Sequence, residues 1–349
     1  MLACRTMKKS LLNSAVLLAS LLAAQAQAAA PAIYPNTSAM GVGHAESTAW
    51  YGACMKVAKA APPPADLPPP SGVAALAQCK ASDLYYDTKA MPAPTLEDWR
   101  KVRHCAVAQD DSAILMMLYQ NGSGVQKNPS LALKYACSMD AAPAEMSGRI
   151  EHLQKLQAGG NIDQCDDITS GYMMGVCSAI EARQKQHVRS QASGKTAQAW
   201  PAAVQASYKK LEAATGSFAD ARAGKETDLS GTARAAMSIA ARTAELDLLA
   251  QDIRQYEAGK LPPAATPAQA QAQDKQLNLI YAKLMKQPKP DFAGAVEKDG
   301  IRDTQRLWLK YRDAWIAFGA ARYPSVAADA WTAMLTARRN AQLNALLEN

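Results

Sequence analysis

The side chains with the clearest chemistry in this chain are six cysteines, Cys54, Cys79, Cys105, Cys137, Cys165 and Cys177. No Cys-x-x-Cys or His-x-x-x-His spacing occurs, which argues against a metal site. An even number of cysteines behind an export signal argues instead for three disulfides. Proximity along the chain suggests Cys54 with Cys79, Cys105 with Cys137, and Cys165 with Cys177, and the other connectivities stay open. The four histidines, His44, His104, His152 and His187, lie far apart in sequence. His104 beside Cys105 has the composition of a Cys–His nucleophile, but a disulfide would consume that thiol. Asp166-Asp167 reads as an acid pair, a cation site or, preferably, a helix cap. With no Gly-x-Ser-x-Gly, phosphate loop or His-Glu-x-x-His, the sequence offers no catalytic residues, no metal ligands and no cofactor site, and the expectation is that it is not an enzyme.

The export signal is the first 28 residues. Arg5, Lys8 and Lys9 precede an apolar run, Leu11 to Ala24, which ends in the small-x-small tripeptide Ala26-Gln27-Ala28. The run is too short to span a bilayer of ~30 Å. Cleavage near Ala28 is therefore expected, giving a periplasmic or secreted protein without stable membrane insertion. Cys4 lies ahead of the apolar run and is not placed for lipidation. The formal net charge of +7 falls to +4 when Arg5, Lys8 and Lys9 leave, since no acid leaves with them. Basic and acidic residues are interspersed along the rest of the chain, a pattern that does not indicate a nucleic-acid partner.

The elements that must carry these residues read as helices. Ala45 to Ala60 forms the first, ended by the proline-rich stretch APPPADLPPPSG. A loop-rich segment with Cys79 and Tyr85-Tyr86 follows. Thr95 and Asp98 have the spacing of a capping box, and Trp99, Val102, Cys105 and Ala106 supply the apolar face of the helix they open. Ala113 to Tyr119 predicts a helix that ends at Asn121-Gly122, and Pro129 begins its return partner. In the second half, Asp167 or Thr169 caps a helix bearing Cys177, and Pro201 opens another. A third runs from about Leu229 to Ala258, and Leu277 to Met285 marks a fourth. Leu261 to Gln273 reads as an Ala/Pro/Gln linker. The last prominent stretch, Gly300 to Phe318, places Ile301, Gln305, Trp308, Tyr311, Arg312, Trp315 and Phe318 on one broad stripe. No credible strand is found, so the fold class is all-α.

Two resemblances follow from these residues. Leu118-Tyr119, Asn121-Gly122, Gly124-Val125, Lys127-Asn128, Ala132, Tyr135 and Ala136 resemble one Sel-like repeat, a relative of the tetratricopeptide hairpin. Stacked repeats need about three copies to bury a continuous core, and disulfides substitute here for the missing neighbours. The second resemblance is to the LprI-type lysozyme inhibitor domain. It rests on Cys165 with Cys177, on Leu277-Asn278 and Tyr281, on Gln305, Trp308 and Tyr311-Arg312-Asp313, and on Leu335-Thr336 with Arg338 or Arg339 and Leu343. It extends over about 164–347, with a helical insert at about 190–273. Relatives commonly carry a cysteine at each of two positions that here hold Trp315 and Trp331, so an aromatic contact is expected in place of a bond.

These readings divide the chain into a leader (1–28), a disulfide-bonded Sel-like helical domain (29–160) and an LprI-like helical domain (161–349). The expected architecture is a disulfide-tied helical hairpin domain followed by an antiparallel helical bundle. Trp308 and Tyr311 are expected to bury against the helix of Leu277, Tyr281 and Leu284, with Gln305 and Arg312 bonding groups at its ends. The resemblance implies an exported, non-catalytic protein that occludes lysozyme or another cell-envelope muramidase, with Arg302, Arg306 and Lys310 assigned to the partner face. The alternative is an envelope structural or assembly factor that binds partner proteins through its Sel-like half.

Overall fold

The computed structural model describes residues 33–38, 45–157, 159–287 and 294–348. The stretch read as a leader, 1–28, lies outside these residues, as does His44. The described residues form helices and loops with no strand, so the chain is all-α as its sequence predicts.

In the first half, α1 (Ala49–Val57) starts where Thr48 Oγ1 accepts the Tyr51 amide, and two 3₁₀ turns, Pro64–Asp66 and Pro70–Leu76, carry the prolines. The segment expected to be loop-rich is a helix, α2 (Ala81–Lys89), because Tyr85 and Tyr86 are both buried against the core and hold it in register. α3 (Leu96–Ala108) opens with both arms of the Thr95–Asp98 capping box. α4 (Ser112–Asn121) is capped by Asp111 and ends at Gly122, whose φ of +70° suits glycine. α5 (Pro129–Ser138) begins with Pro129 in its first turn and Asn128 as its cap, and packs back along α4. A further helix, α6 (Pro143–Leu156), was not predicted. Its apolar positions Met146, Ile150 and Leu153 join Val102, Met117 and Leu131 in one core.

Three disulfides form, with a different pairing from the one that proximity suggests. Cys54 bonds Cys137 and Cys79 bonds Cys105, while Cys165–Cys177 is as expected. The reason is packing. α1 lies on α5 and α6, which carries Cys54 to the end of α5, and the turn Pro70–Leu76 lies on α3, which brings Cys79 to Cys105.

The second half begins with α7 (Gly171–Gln198), capped by Ser170 and not by Asp167 or Thr169. The fully buried Glu145 of α6 accepts the Thr169 and Ser170 amides at 3.1 and 3.3 Å, a carboxylate at a helix start. Gly175 and Arg189 are the buried positions of this long helix. It acts as a strut: Ile180 touches the first core and Ala197 the second. α8 (Ala202–Lys225) starts directly after Pro201, and α9 (Arg234–Glu257) packs on both α7 and α8.

The linker expected over 261–273 is shorter than that. α10 (Pro267–Lys286) opens at Thr266 with a second capping box, closed by Gln269, and buries Ala270, so half of the Ala/Gln run is helix. α11 (Lys298–Arg322) and α12 (Ala328–Glu348) complete the bundle. α11 runs along α8, and α10 runs along α12. The helices read as an insert therefore supply the main partner of α11. Tyr311 stacks on Phe218 of α8, with ring centroids 5.2 Å apart, rather than packing chiefly on α10. None of the described helices is long and apolar enough to cross a membrane.

Candidate functional site

The stripe on α11 faces inward as its spacing predicts: Ile301, Trp308, Tyr311, Trp315 and Phe318 are all buried. Trp315 stacks on Trp331 of α12, the aromatic contact expected at the two positions. The helices approach closely there because residue 319 is glycine; a Cβ on Gly319 would lie 2.5 Å from the Trp331 ring.

A polar clasp runs through the same region. Arg339 of α12 is fully buried and its guanidinium forks onto Glu226, at the end of α8, with contacts of 2.8 and 2.6 Å. Its Nε donates to Gln305 Oε1 at 2.9 Å, and the guanidinium lies 5.5 Å from the centre of the Phe218 ring. Glu245 of α9 accepts from Arg222 and from Gln342, closing a network over four helices. The adjacent Arg338 forks onto the buried Asp252 at 2.6 and 2.9 Å. Burial alone would lower the Arg338 pKa, but the Asp252 carboxylate outweighs it and holds the guanidinium above its ordinary value. Bidentate arginine–carboxylate pairs of this kind fix geometry as well as charge. They hold together what would otherwise be buried, unpaired ions.

The remaining motif residues sit at the edge of this clasp. Gln305 meets Arg339 rather than a helix end. Arg312 lies over Trp308, contacts Asp313 at 2.9 Å and reaches Asp274, inside α10 and not at its end, at 4.0 Å. Sequence reasoning missed Glu226, Glu245 and Asp252, the acids that answer these arginines. No local signal marked them, because the groups on α12 that they meet lie 86 to 113 residues away.

Residues 263–343 match the family model described as lysozyme inhibitor LprI. The LprI match begins just before α10 and ends near the close of α12, so it contains Gln305, Trp308, Tyr311, Arg312, Asp313, Arg338 and Arg339. It leaves out the Cys165–Cys177 loop and α8–α9, although Glu226 and Asp252 of those helices complete the clasp. No curated protein and no solved structure matches the chain.

Outside the LprI match, the other chemically suggestive residues are spoken for. Cys105 is bonded to Cys79, so His104 has no thiol beside it. Burial, followed by the charges of Arg103 and Arg100, lowers the His104 pKa. Asp167 pairs with His152 at 2.9 Å and Asp166 accepts the Asp163 amide at 2.7 Å, so the two carboxylates serve different loops and cap no helix. His187 contacts Gln191. Among the described residues, no group of three His, Cys, Asp or Glu side chains is placed to hold a metal. On the outer face of α11, Arg302 pairs with Asp299 at 2.8 Å and Arg306 with Asp303 at 3.3 Å, while Lys310 is exposed. Lys225 also pairs with Asp303, so this face carries both signs in near balance.

Proposed function

We propose that the protein is exported and non-catalytic, and that it acts by binding lysozyme or another cell-envelope muramidase and blocking access to its cleft. The observation that carries this reading is the LprI match over 263–343, which contains the arginines of the buried clasp, Arg338 and Arg339. The three disulfides favour an oxidising compartment such as the periplasm or the exterior. Inhibition by occlusion needs a rigid surface and no reacting group. The stacked indoles and the arginine forks supply that rigidity in the matched helices.

A second reading rests on the resemblance of this segment to a Sel-like repeat, and the α4–α5 pair with its turn at Gly122 and start at Pro129 is compatible with it: an envelope assembly factor that holds partner proteins. Titration calorimetry of the mature protein with c-type and g-type lysozymes tests the first reading. A stoichiometric complex supports it, and absence of heat at micromolar protein, with capture of an envelope protein instead, would replace it by the second.

A further inference from the structure

The clefts and unpaired charges of the molecule separate into two kinds. In the open cleft between α2 and α7, the acids at the rim are matched: Asp83 and Asp87 pair with Arg183, Asp163 with Lys89, and Glu181 with Lys185. The outer face of α11 is self-neutralised in the same way. A second groove, about 680 Å³ in volume, lies between residues 33–36, the start of α4, the end of α5 and the first turns of α7. There the carboxylates are left over.

From that groove we infer that the protein docks an exposed lysine or arginine side chain of a basic protein partner between Asp110, Asp140 and the tyrosines Tyr34, Tyr135 and Tyr172. This deepens the reading under Proposed function, by naming the face and the charge of the partner, and rests on it.

Asp110 and Asp140 are exposed, and neither carboxylate has an ion-pair or hydrogen-bond partner among the described residues. Asp110 is held with φ at +52°, a left-handed conformation that costs a non-glycine residue free energy. Its neighbour Asp111 turns inward, where its Oδ1 accepts the Ile114 amide, so the cap of α4 uses Asp111 and leaves Asp110 facing out. Lys134, the cation of the groove, donates to the Ala60 carbonyl and does not pair with either acid.

The walls suit the hydrocarbon stem of a long cation. Tyr172 is 79 % exposed on the first turn of α7, and Ile33 is 62 % exposed opposite. Tyr135 is stacked on Tyr119 and so is held rigid. A tyrosine fixed as Tyr135 is binds a cation over its free face and loses little entropy doing so, and Tyr172 adds exposed ring surface beside it. An acidic groove on a chain whose formal net charge is +4 without its first 28 residues also discriminates by sign, since it attracts a basic patch that the net charge disfavours.

The test uses the full mature chain and two probes, a c-type lysozyme and a hexalysine peptide, with NMR mapping of the tyrosine side chains and affinity measured at low and high salt. Both probes are expected to shift Tyr34, Tyr135 and Tyr172. The double variant Asp110→Asn/Asp140→Asn should weaken both by about tenfold or more, with its thermal midpoint unchanged, because asparagine tolerates the left-handed conformation. Asp87→Asn/Asp220→Asn, an equal charge change away from the groove and from α11, should leave both affinities alone. If lysozyme binds the Asp110/Asp140 variant as tightly as the native chain, the groove is overturned while the inhibitor reading stands. If hexalysine binds in the groove and no lysozyme binds, the inhibitor reading falls and the groove stands. If neither probe moves the three tyrosines, the groove is overturned.

Discussion

The indole rings of Trp315 and Trp331 stack with centroids 5.6 Å apart and planes 17° from parallel. Packing of this pair joins α11 to α12. Tyr256 meets both rings edge-on, which seats the pair in the centre of the second core. Truncating a buried tryptophan to alanine costs about 3–5 kcal/mol. Trp331→Ala should therefore lower stability by about that much in urea denaturation, and Gly319→Ala should also destabilise, since its new Cβ meets the Trp331 ring. In the Trp331→Ala background the Gly319→Ala penalty should largely vanish. Strictly additive effects would contradict the contact.

Arg339 is buried only because Glu226 and Gln305 receive it. Arg339→Met leaves the buried Glu226 carboxylate with only the longer contact from Arg222 at 3.7 Å and should cost about 3 kcal/mol. Adding Glu226→Gln should recover part of that loss, which a double-mutant cycle would read as coupling of about 1 kcal/mol or more. A cycle with no coupling would remove the clasp from the account.

Because Glu226 and Asp252 come from outside 263–343, that segment alone should not fold. Circular dichroism of a 263–343 fragment is expected to show little helix, and a 199–349 fragment should be helical and melt cooperatively. A cooperatively folded 263–343 fragment would show that α8 and α9 are dispensable.

Alkaline pH should loosen the second core. Burial pushes the phenols of Tyr208 and Tyr256 up to about 12, from an ordinary value of 10.0. The folded state thus keeps protons that the unfolded chain releases. The associated stability is complete below about pH 10 and is lost as pH rises through about 12. Denaturation midpoints that hold level across that interval would contradict it.

Much of this fold could be read from local rules, and the failures have a common cause. Thr95 with Asp98, Gly122 and Pro129 declared themselves, because capping and left-handed turns depend on residues only a few positions apart. The inward stripe of α11 was legible for the same reason. What was missed depends on tertiary neighbours: the Cys54–Cys137 bond spans 83 residues, and Arg339 and Glu226 are 113 apart. The 267–273 run reads as a linker on composition, yet Thr266 and Gln269 cap it and α12 covers it. The groove at Asp110 was invisible because its walls come from four separate segments.

Peptide mapping of the unreduced protein should recover Cys54–Cys137, Cys79–Cys105 and Cys165–Cys177. A Cys54–Cys79 peptide would overturn the placement of α1 on α5.

The most direct measurement of the central claim is a titration of c-type and g-type lysozyme activity on peptidoglycan with the purified mature protein. The account predicts a dose-dependent loss of muramidase activity that saturates at a fixed stoichiometry and weakens as salt is raised. Undiminished activity of both enzymes at micromolar concentrations of the protein would contradict it.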